Sequence, residues 1–89
     1  MKIIISQRLT SKIRTSLLGH KLWVPRWCAY DLFVKPEIFP PVVKVAIMYK
    51  KTKPIAWVLK FDDGEVWSYT TPSHRNNGIN TKLSAKMGN

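Results

Sequence analysis

Val58–Tyr69, VLKFDDGEVWSY, is the stretch on which the fold turns. Runs of β-favouring residues flank Asp62-Asp63-Gly64, where Asp accepts local backbone hydrogen bonds and glycine supplies a positive φ. Two registers fit such a turn. A two-residue Asp63-Gly64 loop pairs Phe61 with Val66 and Leu59 with Ser68, setting apolar against polar partners. A three-residue loop, a type I turn with a bulge at Gly64, pairs Leu59 with Trp67 and Trp57 with Tyr69. That second register gathers Ile55, Trp57, Leu59, Trp67 and Tyr69 on one face, as a sheet with one buried face requires. The three-residue loop is therefore expected.

Moving towards the N-terminus, VVKVAIMYKK alternates. Val43, Val45, Ile47 and Tyr49 share one face of a strand, with Lys44, Ala46, Met48 and Lys50 on the other. KKTKP then reads as a basic turn into IAWVLKF. The expectation is a small α+β or mainly β fold, with a three-stranded antiparallel meander over about 42–50, 55–61 and 65–71. Three strands need a cover on their apolar face. The N-terminal segment and Trp23–Phe33 are the candidates.

The stretch before the strands, HKLWVPRWCAYDLFVKPEIFPP, contains Pro25, Pro36, Pro40 and Pro41. Proline removes a backbone donor and pushes the preceding residue towards extended geometry, so this stretch reads as largely irregular, with a helical turn near Trp27–Phe33. Further back, Ile5, Leu9, Ile13 and Leu17 recur every four residues, predicting an amphipathic helix that Gly19 closes as its C′ residue. After the strands, PSHRNNGINTKLSAKMGN lacks acids and aromatics and is expected to be irregular, with at most a short helix near Thr81–Lys86. The chain thus divides into a basic N-terminal helix and Pro-rich segment (1–41), a β-meander (42–72) and a basic tail (73–89).

Charge is the main functional signal. The 89 residues hold fifteen Lys and Arg against five Asp and Glu, a net charge of +10. The first acid is Asp31, and Lys2, Arg8, Lys12, Arg14, Lys21 and Arg26 all precede it. Such a balance favours a polyanionic partner, nucleic acid before anionic membrane. The 45% apolar content argues against wholesale disorder. No apolar run approaches the ~18 residues of a spanning helix, so no transmembrane segment is expected. Cys28 stands alone, which excludes an intramolecular disulfide and any cysteine-based metal site.

Catalytic chemistry finds little support. Asp62, Asp63 and Glu65 cluster where a hairpin turns, Asp31 and Glu37 are isolated, and His20 and His74 lie far apart in sequence. The four glycines form no phosphate-cradling loop. No enzyme activity, cofactor, metal or small-molecule substrate is expected. What the sequence does carry is charge interleaved with rings. RNA binding uses cations for phosphates and flat rings for unpaired bases. The candidate contacts are Lys2, Arg8, Lys12 and Arg14 of the N-terminal segment, and Lys21, Trp23, Arg26 and Trp27 of HKLWVPRW. Lys50, Lys51 and Lys53 of the basic turn join them, with Arg75, Lys82 and Lys86 of the tail. The two tryptophans can equally close the end of the sheet, with ring faces buried and the basic neighbours outside.

VLKFDDGEVWSY resembles the central hairpin of SH3-like and Tudor-like small barrels, and the resemblance implies a barrel-like β fold suited to RNA or protein binding. In composition and layout, with a small core and basic extensions, the chain resembles the small lineage-specific proteins of mitochondrial ribosomes. That likeness implies a structural subunit bound to rRNA and to neighbouring proteins. The acid-free, Ser- and Thr-rich N-terminus is also similar to a mitochondrial presequence, here one that doubles as a binding arm, and a matrix location is favoured over the cytoplasm. Two other readings are an accessory subunit of a large mitochondrial or membrane complex and a free small β module that binds proteins.

Overall fold

The computed structural model describes residues 2–23, 27–75 and 78–86. In chain order the elements are β1 (Lys2–Ser6), α1 (Ser11–Gly19), α2 (Trp27–Val34), a 3-10 turn (Pro36–Ile38), β2 (Val42–Lys50), β3 (Lys53–Phe61), β4 (Val66–Thr70), a second 3-10 turn (Pro72–His74) and α3 (Ile79–Lys86). The strands make one open antiparallel sheet in the order β1-β2-β3-β4. The fold is α+β, with four strands where three were expected, and the described residues form no closed SH3-like barrel.

The extra strand comes from the N-terminus, and it corrects the helix expected from Ile5. Ile3, Ile4 and Ile5 are three β-branched residues in a row, which crowd a helix and suit a pleated surface. They pair with β2 in the register Ile3↔Met48, Ile4↔Ile47, Ile5↔Ala46. Ser6 then folds the chain: its hydroxyl donates to Arg8 O at 2.8 Å and accepts from Arg8 N at 3.3 Å. Thr10 is the N-cap of α1, its Oγ1 accepting from Ile13 N at 3.2 Å. The four-residue spacing survives only from Leu9 onward, where Leu9, Ile13 and Leu17 pack towards the core.

Gly19 is not the C′ residue either. The helix runs through it, and Lys21 takes the left-handed conformation at φ +56°. Leu22 N donates to Leu17 O at 3.0 Å and Lys21 N to Leu18 O at 3.1 Å, the two bonds of a Schellman closure. Both Leu17 and Leu22 are buried, which supplies the apolar contact that such closures carry. α2 stops where Pro36 forces Lys35 out of helical geometry (φ −131°, ψ 68°).

The β3–β4 hairpin has the expected register, Leu59↔Trp67 and Trp57↔Tyr69. Phe61 N donates to Glu65 O and Gly64 N to Phe61 O, with Gly64 at φ +91°, so the loop holds three residues and a glycine bulge. β3 begins at Lys53, two residues before the expected start, and takes in Pro54. Proline is tolerated here because the register slips next to it: Met48 pairs with Ala56 and Tyr49 with Pro54, leaving Ile55 as the extra residue. Ile55 consequently leaves the face expected for it and joins Ala46, Met48, Ala56 and Val58 on the other. A second slip between Val42 and Lys44 puts Val42 against the core and leaves Val43 39% exposed.

Both faces are covered. α1, α2 and Leu22 lie over Val45, Ile47, Trp57, Leu59, Phe61 and Tyr69. α3 lies over β2, β3 and β4, inserting Ile79 and Leu83 above the small residues of the opposite face. The single buried face expected from the sequence is therefore wrong. The radius of gyration, 11.9 Å, is that of a compact domain of this length, for which about 12 Å is expected. The described parts of both terminal segments are packed into the fold.

Candidate nucleic-acid interface

β3 links two turns of opposite charge. At its start, Lys50 pairs with Lys53 across a two-residue turn, and Lys51 occupies the left-handed region at φ +60°, as two-residue hairpins require of their first loop residue. Lys2 pairs with Tyr49, next to the same turn. Lys2, Lys50, Lys51 and Lys53 are all exposed, so four cations crowd one end of the sheet. At the other end of β3 stand Asp62, Asp63 and Glu65. The eight steps along the nine residues of β3, at about 3.3 Å each, put the turns roughly 26 Å apart.

The acidic turn uses its carboxylates locally. Asp63 Oδ1 accepts from Glu65 N at 2.9 Å, and Glu65 Oε1 accepts from Trp67 Nε1 at 2.9 Å. Asp62 N donates to Pro41 O at 2.9 Å, and Phe39 packs edge-on to Trp67 with centroids 5.6 Å apart. These contacts bring the Glu37 turn to the same end. Four of the five acids thus gather away from the lysine turn, and Asp31 is on α2. The gap exceeds the ~10 Å Debye length at 0.1 M salt, so the acids screen the lysines little.

The remaining expected contacts separate into surface cations and internal ties. Arg8, in the turn after β1, and Lys12, on α1, are exposed. Lys21 is exposed at the carbonyl end of α1, where a cation is favourable. Next to it, His20 Nδ1 meets Ser16 O at 3.0 Å. Lys82 and Lys86, one turn apart on α3, are exposed. Arg14 is different: its Nη1 donates to Phe33 O at 3.0 Å and its Nη2 to Ser11 Oγ at 3.1 Å, tying α1 to the end of α2. Arg75 donates from Nε to Thr70 O at 3.0 Å and places its guanidinium 5.7 Å from the centroid of the Tyr69 ring.

Trp23 is half-buried against the core, its ring 4.7 Å from that of Tyr30 at 60°. Trp27 opens α2, but its side chain and all of Arg26 lie outside the described residues. Three lysines, Lys35, Lys44 and Lys60, are not among the expected contacts. Lys44 and Lys60 are cross-strand partners, both half-buried, on the face that α3 covers. Their pairing follows once the turn is set at Lys51-Thr52, a register left unassigned from sequence. Among the described residues no group of three His, Cys, Asp or Glu is placed to hold a metal, and no helix is long and apolar enough to cross a membrane. The chain matches no known protein family, no curated protein and no solved structure.

Proposed function

We propose that this chain is a non-catalytic subunit of a ribonucleoprotein, held to RNA by its cationic surface and to neighbouring proteins of the same assembly. An organellar ribosome in the mitochondrial matrix is the favoured setting, and rRNA the favoured ligand. The observation that carries the reading is the segregation of charge along β3: Lys2, Lys50, Lys51 and Lys53 gather at one end, and the hairpin acids gather at the other. Phosphates arrive at one end of the molecule without meeting its carboxylates. Arg8, Lys12 and Lys21 extend the cationic surface along the α1 layer, while Arg14 and Arg75 support the fold that presents it.

Binding of a fluorescent structured RNA, followed by anisotropy from low to moderate salt, tests this. If the four lysines at the sheet end meet phosphates, log affinity falls with log salt at a slope of about −3 or steeper, at ~0.7–0.9 per contact. Replacing Lys50, Lys51 and Lys53 with glutamate removes most of that slope. A slope near zero for the parent protein sinks the proposal. Sedimentation of the endogenous protein supplies the second arm. Migration in a large particle indifferent to RNase moves it to a protein or membrane assembly, and migration near 10 kDa to a free module.

A further inference from the structure

β1 is an edge strand. Among the described residues it has β2 on one side and no strand on the other, and a row of unpaired strand-edge amides and carbonyls templates the addition of another extended chain. Natural edges are usually blunted by charge, proline or a bulge. This one presents Ile3-Ile4-Ile5, with Ile4 39% and Ile5 41% exposed. Beside it, between β1 and α1, runs a groove of about 520 Å³, with Ile4, Ile13, Ile47 and Tyr49 in its lining and Ser16 and Lys12 among its polar groups. Its volume falls in the ~300–1,000 Å³ range of ligand sites. Lys2 starts the strand, Arg8 follows it and Lys12 stands on the helix, with no carboxylate anywhere from residue 2 to residue 30.

We propose that this edge and groove take an extended acidic segment of a partner protein, which adds to the sheet as a strand beside β1. Its alternate apolar side chains enter the groove, and its flanking carboxylates meet Lys2 at one end and Arg8 and Lys12 at the other. β1 spans five residues, about 13 Å end to end, so the two acidic flanks stand roughly five residues apart. Charge selects the occupant. A second copy would set Lys2, Arg8 and Lys12 against themselves and a net +10 against +10. A nucleobase needs an open ring face, and the lining offers only the half-buried Tyr49, whereas its isoleucines and the strand edge match a peptide. The site shares Lys2, Arg8 and Lys12 with the cationic surface proposed for RNA, but its groove and strand edge lie outside the Lys51-Thr52 turn and do not rest on the RNA reading.

The probe is an acetylated nonapeptide with two glutamates at each end of Val-Thr-Leu-Thr-Val, titrated into the isotopically labelled full chain by amide NMR. The expected result is shifts at Lys2–Ser6 and Ile13 with slowed amide exchange in β1. A lysine-flanked version of the peptide binds at least about tenfold more weakly. Ile4→Lys weakens the acidic peptide about tenfold, and Lys12→Glu, on an exposed helix face that leaves folding untouched, about fivefold. Shifts confined to other residues overturn the proposal, as does affinity unchanged in both variants. Shift of the β1 amides by RNA but not by peptide reassigns the groove to nucleic acid. Concentration-dependent shifts of the same amides without peptide reassign it to a second copy of the chain.

Discussion

The two faces of the sheet are built on different scales. Under α1 and α2 lie large rings: Phe33 meets Trp57 edge-on at 5.4 Å, and Trp57 stacks on Tyr69 at 6.2 Å with planes 25° apart. Trp57 Nε1 also donates to Leu22 O at 2.9 Å, so the ring is both packed and polar-satisfied. Under α3 the sheet offers Ala46, Ala56 and Val58 with Met48 and Ile55, and the helix needs only Ile79 and Leu83 to seal it. Small residues let a short helix sit close, at little gain in buried area. Stability is therefore concentrated on the aromatic face, and the α3 face is the part expected to open first.

The sharpest way to break this comparison is to remove its largest member. Trp57→Ala empties the centre of the aromatic face and leaves Leu22 O without its buried donor. A loss of roughly 3–5 kcal/mol is expected in urea unfolding. Leu83→Ala tests the other face at a lower cost, roughly 2–3 kcal/mol, since α3 can lift locally instead of leaving a sealed cavity. Hydrogen exchange separates the two: Trp57→Ala accelerates the whole sheet, while Leu83→Ala accelerates α3 and spares β3. Equal global acceleration in both variants makes the two faces one cooperative unit and removes the distinction.

The same contrast governs what is legible in the sequence. The β3–β4 hairpin is legible because turn chemistry and ring placement agree on one register, Trp57↔Tyr69 and Leu59↔Trp67. The α3 face is not, since Ile79 and Leu83 are two apolar residues in a polar run, too sparse for periodicity to register. β1 hides because its last isoleucine happens to continue the four-residue spacing of α1. Ser6 and Thr10, which separate the two, act through side-chain bonds to backbone that spacing ignores. The candidate interface divides the same way. The lysines of the β2–β3 turn follow from local sequence, whereas Arg14 and Arg75 are set by carbonyls of Phe33 and Thr70. The edge groove becomes visible only once β1 exists.

The two hairpin turns sharpen the comparison at a finer scale, for each has a residue at positive φ and only one of them is glycine. At Gly64, φ +91°, a Cβ would find nothing within 4 Å, so Gly64→Ala meets no clash and its cost is backbone strain alone. A loss of roughly 1–2 kcal/mol is expected by thermal or urea unfolding. A neutral result would mean that the acidic turn tolerates another geometry, and the bulge would then owe its register to Trp57 and Tyr69 instead of to the loop.

Lys51 is the converse case and the smallest effect. At φ +60° it carries a Cβ where glycine is at ease, and its side chain is exposed, so nothing in the packing compensates the strain. Lys51→Gly is expected to stabilise the fold by about 0.5 kcal/mol, the relieved strain partly offset by the greater entropy of glycine in the unfolded chain. The same substitution removes one of the four cations at the sheet end. RNA binding should weaken while the protein becomes more stable, with the salt slope shallower by ~0.7–0.9. Opposite movement of stability and affinity is what a residue retained for its charge predicts. If both rise together, the lysine turn makes no phosphate contact through Lys51, and the interface shifts towards Lys2 and the α1 layer.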